Sequence, residues 1–243
     1  MSPKIISAFC LAHLLLGAVS APGAVFIDSF ETEQELRLEK PKKHKDSSSR
    51  IGDEILGGER DVTLRRLAGR GDLVAGVLQD DAGLFSLSAD DGVRGLARII
   101  WDGRDRSLNL KKGGLGAFDL TQSDANQKLV FSAISDLGAL VTIRVYGNKG
   151  RVSEARILVP GSDSFDFYSV NFSDFVSARH GAVRFDRVGA ISVEITGLIA
   201  GSDAAFGSFA AVPSSFVPVP EAAPLIVGLF GAVLAAVMFI RRS

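Results

Sequence analysis

The chain has 243 residues, with 27 Lys and Arg against 28 Asp and Glu and a formal net charge of −1. That balance gives no general electrostatic pull toward nucleic acid. A single cysteine excludes a disulfide framework, and three histidines make a multi-histidine zinc site or a His-based triad improbable.

Met1 to Lys4 form a short basic start, and Ile5 to Val19 form an apolar stretch interrupted only by Ser7 and His13. Small residues follow through Ala24. This is the layout of a secretory signal peptide over 1–24, cut between Ser20 and Ala24, and it implies export through the Sec machinery. Cys10 lies inside the apolar stretch, so the mature chain holds no cysteine and its core must hold the fold alone.

Residues 25–212 are expected to form one all-β domain. Val141–Tyr146 and Ile191–Thr196 alternate apolar and polar residues, a period of two that sets one face on a core and the other in water. Val25–Phe30, Asp61–Leu67, Leu73–Leu78, Leu84–Ser88, Gly95–Trp101, Lys128–Ile134, Ala155–Val159, Phe165–Phe172 and Ala205–Val212 are further strand candidates. Turn signals such as Asp90-Asp91-Gly92 and Gly147-Asn148 fall between them. Short strands at this spacing predict a jelly-roll-like β-sandwich. Residues 40–50, rich in Lys and Ser, are expected to be a mobile basic loop. Lys111–Gly116 lacks the Gly-Lys-Ser/Thr of a phosphate loop and is read as a hairpin turn.

Few residues carry recognisable chemistry. No Gly-x-Ser-x-Gly elbow occurs, so the domain is read as non-enzymatic, although a carboxylate pair for glycan hydrolysis is indistinguishable here from turn aspartates. Asp28 and Glu31 at the end of the first strand candidate, with Asp203 opening the last, are the candidate ligands of a structural Ca²⁺, with turn capping as the ordinary alternative. No other cofactor is implied. Trp101 is the candidate sugar-stacking platform, against the reading of a buried indole in an apolar strand. Glu59-Arg60-Asp61 suggests an internal ion pair registering neighbouring strands.

The C-terminal segment 213–243 is the most distinctive. Val219-Pro220-Glu221 precedes an uncharged apolar run over 224–240, and Arg241-Arg242 follows. A helix from Ala222 onward rises about 28 Å, close to a bilayer core of about 30 Å, and the arginines place the tail in the cytoplasm. The arrangement resembles the PEP-CTERM sorting signal, a Pro-Glu-Pro motif, one span and a basic cluster. That resemblance implies processing by exosortase in a Gram-negative bacterium that makes extracellular polysaccharide. Val219, Pro220, Glu221, Arg241 and Arg242 carry the match, while Ala222 replaces the usual second Pro.

Short phrases along the domain also resemble a module common in PEP-CTERM proteins: Gly57-Gly58-Glu59-Arg60-Asp61, Trp101-Asp102-Gly103, Gly114-Leu115-Gly116, Asp119-Leu120-Thr121 and Val188-Gly189-Ala190-Ile191. The resemblance implies a sandwich like that of carbohydrate-binding modules. The expectation is a structural or matrix protein, held transiently in the inner membrane and then sorted to the cell surface or exopolysaccharide layer. A surface carbohydrate-binding module is the alternative, and a secreted glycan-active enzyme the second.

Overall fold

The computed structural model describes residues 23–39, 43–78 and 83–217. Fifteen strands lie among them. The first five are β1 (Val25–Asp28), β2 (Gln34–Leu38), β3 (Lys45–Ile51), β4 (Glu59–Ala68) and β5 (Leu73–Val77). Next come β6 (Phe85–Ala89), β7 (Arg94–Trp101), β8 (Lys128–Ser135), β9 (Ala139–Gly147) and β10 (Val152–Val159). The last are β11 (Asp166–Asn171), β12 (Val176–Arg179), β13 (Val188–Gly197), β14 (Ala204–Phe206) and β15 (Phe209–Val212). Among the described residues helix is confined to short 3₁₀ turns such as Leu56–Gly58, and no helix is long and apolar enough to cross a membrane.

The strands pair antiparallel in two sheets. In the eight-stranded first sheet, β8 carries β11 along one edge and β15 and β14 along the other. From there β15 leads to β1, and β14 leads to β6, β5 and β2. The seven-stranded second sheet runs β12-β10-β9-β13-β7-β4-β3. The chain crosses between the sheets repeatedly, so the core forms from side chains distant in sequence. β14 and β15 are two halves of one interrupted strand. Gly207 joins them and donates its N–H to the Ser132 carbonyl at 2.9 Å, where a Cβ would come within 2.3 Å of the Ser132 hydroxyl.

Alternation sets the faces. On β13, Ile191, Val193 and Ile195 enter the inter-sheet core as the period predicts, meeting Phe131, Phe206, Phe209, Ile99 and Val141. Ser192 points away from that core yet is fully buried, because the outer face is not bare. The excursion 102–127 between β7 and β8 runs over this face, and its Leu110 packs against Tyr146, Val152 and Ala190. Lys111–Gly116 is therefore a set of tight turns inside a long strap rather than a hairpin between strands.

The mobile loop expected over 40–50 is also corrected. Residues 45–51 form β3, paired along its whole length with β4 from Lys45↔Arg65 to Ile51↔Glu59. Ladder bonds satisfy the backbone groups that face β4, and its polar side chains are tolerated because β3 is an edge strand, where charge discourages further pairing. β2 and β12 were likewise unforeseen.

Candidate functional site

Residues 1–22 of the expected signal peptide 1–24, the motif Val219-Pro220-Glu221, the apolar run 224–240 and Arg241-Arg242 lie outside the described residues. The other candidates can be placed. Asp28, at the end of β1, is fully buried between the sheets. Its Oδ1 and Oδ2 accept from Arg60 Nη1 at 3.0 and 3.1 Å, Oδ1 accepts from the Phe30 N–H at 2.8 Å, and Oδ2 from Trp101 Nε1 at 2.8 Å. Arg60 is equally enclosed. Its Nε donates to Gln34 Oε1 at 2.8 Å, Nη2 to the Thr32 carbonyl, and its guanidinium lies 5.5 Å from the Phe30 ring centre. Burial raises the Asp28 carboxyl above its ordinary value, while Arg60, the indole and the Phe30 amide pull it back.

This lock joins β1 of the first sheet to β4 and β7 of the second, and it revises three expectations. Asp28 is committed to the Arg60 guanidinium, the Trp101 indole and the Phe30 amide, which take the places a metal ion would need. Trp101 is fully buried and stacks on Phe209 at 5.8 Å, so it offers no sugar platform. The ion pair around Arg60 exists, but its partner lies across the sandwich. Of the remaining calcium candidates, Glu31 is exposed. Asp203 takes the Ala89 N–H at 2.9 Å and gives its own N–H to Asp136 at 2.8 Å, bracing a sheet corner. Among the described residues no group of three His, Cys, Asp or Glu side chains is arranged to hold a metal ion. Asp28 and Asp203 are each committed to other partners, and Glu31 stands exposed apart from them.

On the outer side of β4, Glu59 and Asp102 fasten the strap. Glu59 Oε2 accepts from the Asp105 and Arg106 N–H groups at 2.8 and 3.0 Å, its Oε1 takes the Ser49 hydroxyl, and Asp102 accepts from the Lys111 N–H. Asp61 sits beneath them, 2% exposed, with neither oxygen in a hydrogen bond. Burial pushes its carboxyl up to about 7, and the Asp102, Glu59 and Asp105 charges add to the rise; the nearby Ser49 hydroxyl, which donates to Glu59 instead, offsets only part of it.

A different chemistry lies at one end of the second sheet. The turn from β9 to β10 places Lys149 at φ 60°, with the Gly147 N–H donating to the Arg151 carbonyl at 3.0 Å and the Arg151 N–H to the Asn148 carbonyl at 3.3 Å. Opposite it runs the loop between β12 and β13. That loop is anchored where the Val183 N–H meets the Ser153 hydroxyl at 2.9 Å and where Phe185 stacks on Phe172 at 4.2 Å. With Val183 and Phe185 turned inward, Arg184 and Arg187 are left exposed. The strap closes in beside them. The Lys112 carbonyl would lie 2.0 Å from a Cβ on residue 189, which only Gly avoids.

Between the turn and the loop is an open pocket of about 170 Å³ lined by Gly147, Asn148, Lys149, Arg151, Arg184 and Arg187. Arg184 is paired with Asp186 at 2.5 Å, and that guanidinium holds the Asp186 carboxyl below its usual range. Lys149, Arg151 and Arg187 make no ion pair among the described residues. No carboxylate, thiol, hydroxyl or imidazole side chain lines the pocket. Sequence reasoning missed this site. Its one signal was the recurrence of Arg179, Arg184 and Arg187 beside a turn.

No protein-family model matches the chain, and no curated protein sequence matches it. Solved structures are similar to it at low identity. It is similar to the family 11 carbohydrate-binding module of the cellulosomal cellulase Lic26A-Cel5E of Clostridium thermocellum, at 15% identity, 80% of this chain, 97% of that chain and a TM-score of 0.39. A family 29 carbohydrate-binding module gives 12% identity, 77% and 100% coverage and a TM-score of 0.36. The agarase AgWH50C gives 9% identity and a TM-score of 0.44, over 80% of this chain but 25% of its own. At these values the likeness carries no argument.

Proposed function

We propose that the chain is an exported carbohydrate-binding protein of the cell surface, a jelly-roll-like sandwich that holds polysaccharide without transforming it. The observation that carries this reading is the open pocket at the β9–β10 turn, whose lining offers hydrogen-bond donors and cations but no carboxylate pair or nucleophile. The matrix role is its consequence, since a surface protein that grips polysaccharide holds the layer to the cell. In this reading the signal peptide directs export, and exosortase removes the helix behind Val219-Pro220-Glu221.

The experiment is a glycan-binding screen on the full-length protein in non-ionic detergent, with intact-mass analysis of material from the surface of an exosortase-bearing host. Saturable binding to at least one polysaccharide, unaltered in length after incubation, supports the reading. No binding, or shortening of the bound glycan, contradicts it. A surface chain ending near Pro220 supports the sorting step. Retention of Arg241-Arg242 on all copies replaces it with a simple anchor.

A further inference from the structure

We propose that the pocket between residues 147–151 and 183–187 binds the carboxylates of a uronic-acid polysaccharide, with Arg151, Arg187 and Lys149 as the recognising cations. This rests on the carbohydrate-binding reading and names the ligand class of that same site.

Four cationic side chains surround about 170 Å³, and of these only Arg184 makes an ion pair, with Asp186, whose carboxyl also feels the Arg187 charge. Like charges held this close raise the local positive potential, and an anion relieves it. One more cation reinforces the sign: Arg179 is paired in register with Val152, beside Arg151. The acidic groups nearby are committed. Asp186 is held by Arg184, and Asp119, the residue after the strap's contact with β13 at Phe118, caps its own turn through Thr121 and Ser123.

Shape and chemistry narrow the anion. The pocket is smaller than the ~300–1,000 Å³ that encloses a drug-sized ligand, so it grips one charged ring of a longer chain and leaves the rest outside. Guanidinium forks match the two oxygens of a carboxylate. The Asn148 carboxamide on the rim suits the hydroxyls that flank a sugar carboxylate, since it both donates and accepts. A single-stranded nucleic acid fits less well, because no aromatic ring lines the pocket to stack bases.

The test uses full-length protein in non-ionic detergent and titrates it with polygalacturonate, fully methyl-esterified polygalacturonate, neutral dextran, dextran sulfate and a single-stranded oligonucleotide. The expected result is saturable binding of polygalacturonate, weakened about tenfold or more by esterification and by raising salt from about 50 to about 500 mM. Arg151→Gln with Arg187→Gln is expected to weaken binding about tenfold or more with an unchanged melting temperature. Arg151→Lys with Arg187→Lys is expected to recover part of it, which a misfolded variant cannot do. Equal binding of acid and ester overturns the carboxylate assignment while leaving the carbohydrate reading intact. So does binding of an unrelated neutral glycan alone. Polygalacturonate binding that survives the double Gln variant removes the pocket. Tighter binding of dextran sulfate or the oligonucleotide replaces the uronate, and failure of every glycan removes both readings.

Discussion

The sandwich employs arginine in two opposite ways. Arg60 is sealed between the sheets, with Nε, Nη1 and Nη2 all donating to Asp28, Gln34 or Thr32. Arg151 and Arg187 stand at the rim of an open pocket and make no ion pair among the described residues. The first arrangement is a structural solution to burying a charge, which is tolerable only when it is paired and fully hydrogen-bonded. The second leaves donors free for something outside the chain. Neighbouring Asp61 is a third case, since its carboxylate is buried like Asp28 but unpartnered like the rim arginines. Whether a charge is paired separates fold from function better than its residue type does.

The largest effect should come from breaking the lock. Arg60→Met leaves the Asp28 carboxylate buried without its counter-charge and should cost about 3–5 kcal/mol in denaturant unfolding. Adding Asp28→Leu removes the orphaned charge and should return much of that stability, in the way of exchanging a buried pair for apolar residues. A double variant as unstable as the single one would mean that the lock is valued for its shape rather than its charge balance.

One step smaller is the contrast along β13. Val193→Ala deletes two buried methyl groups and should cost about 1–3 kcal/mol. Glu194, partly exposed and 3.5 Å from Arg144, should cost about 0.5 kcal/mol or less as Glu194→Ala. Equal costs would break the inward–outward register.

Asp61 sharpens the comparison through pH. Its folded pKa of about 7 lies above the ordinary 3.8, so the folded state holds a proton that the unfolded state has released. The stability it contributes is fully present below about pH 4 and is lost as pH rises through about 7. Asp61→Asn should therefore raise the melting temperature at pH 8 and flatten this descent. A variant that is less stable than wild type at pH 8 would show that the ionised carboxylate has a partner.

The rim should respond least. Arg187→Gln, on an exposed side chain, is expected to shift stability by about 0.5 kcal/mol or less, although polysaccharide binding falls.

Much of this frame was legible in the sequence, for physical reasons that particular strands illustrate. β13 and β9 announce themselves because one face of each meets a core, and a period of two survives any change of partner. β2 carried the same signal in Gln34, Leu36 and Leu38, all buried, but the charges of Glu33, Glu35, Arg37 and Glu39 hid it. β3 had no signal to read, since nothing in Lys45–Ile51 alternates and only pairing with β4 makes it a strand. The candidate site was less legible still. Asp28 stood out as an acid beside an apolar strand, yet its partner lies 32 residues away across the sandwich and calcium seemed its natural companion. The pocket joins two turns whose cations are brought together only by the β9–β13 ladder and the anchoring of Phe185. Local pattern reveals which face a residue takes. It does not reveal which distant charge it will meet.

The central claim, that the unpaired cations at the β9–β10 turn are a polysaccharide-binding site, is tested most directly by hydrogen exchange followed by mass spectrometry. Full-length protein in non-ionic detergent would be compared with and without saturating polygalacturonate. The account predicts slowed exchange in peptides covering 145–152 and 182–188, lost in the Arg151→Gln, Arg187→Gln variant. Protection that falls instead on the outer face around Arg144, Glu154 and Glu194, with these two segments unchanged, would contradict it.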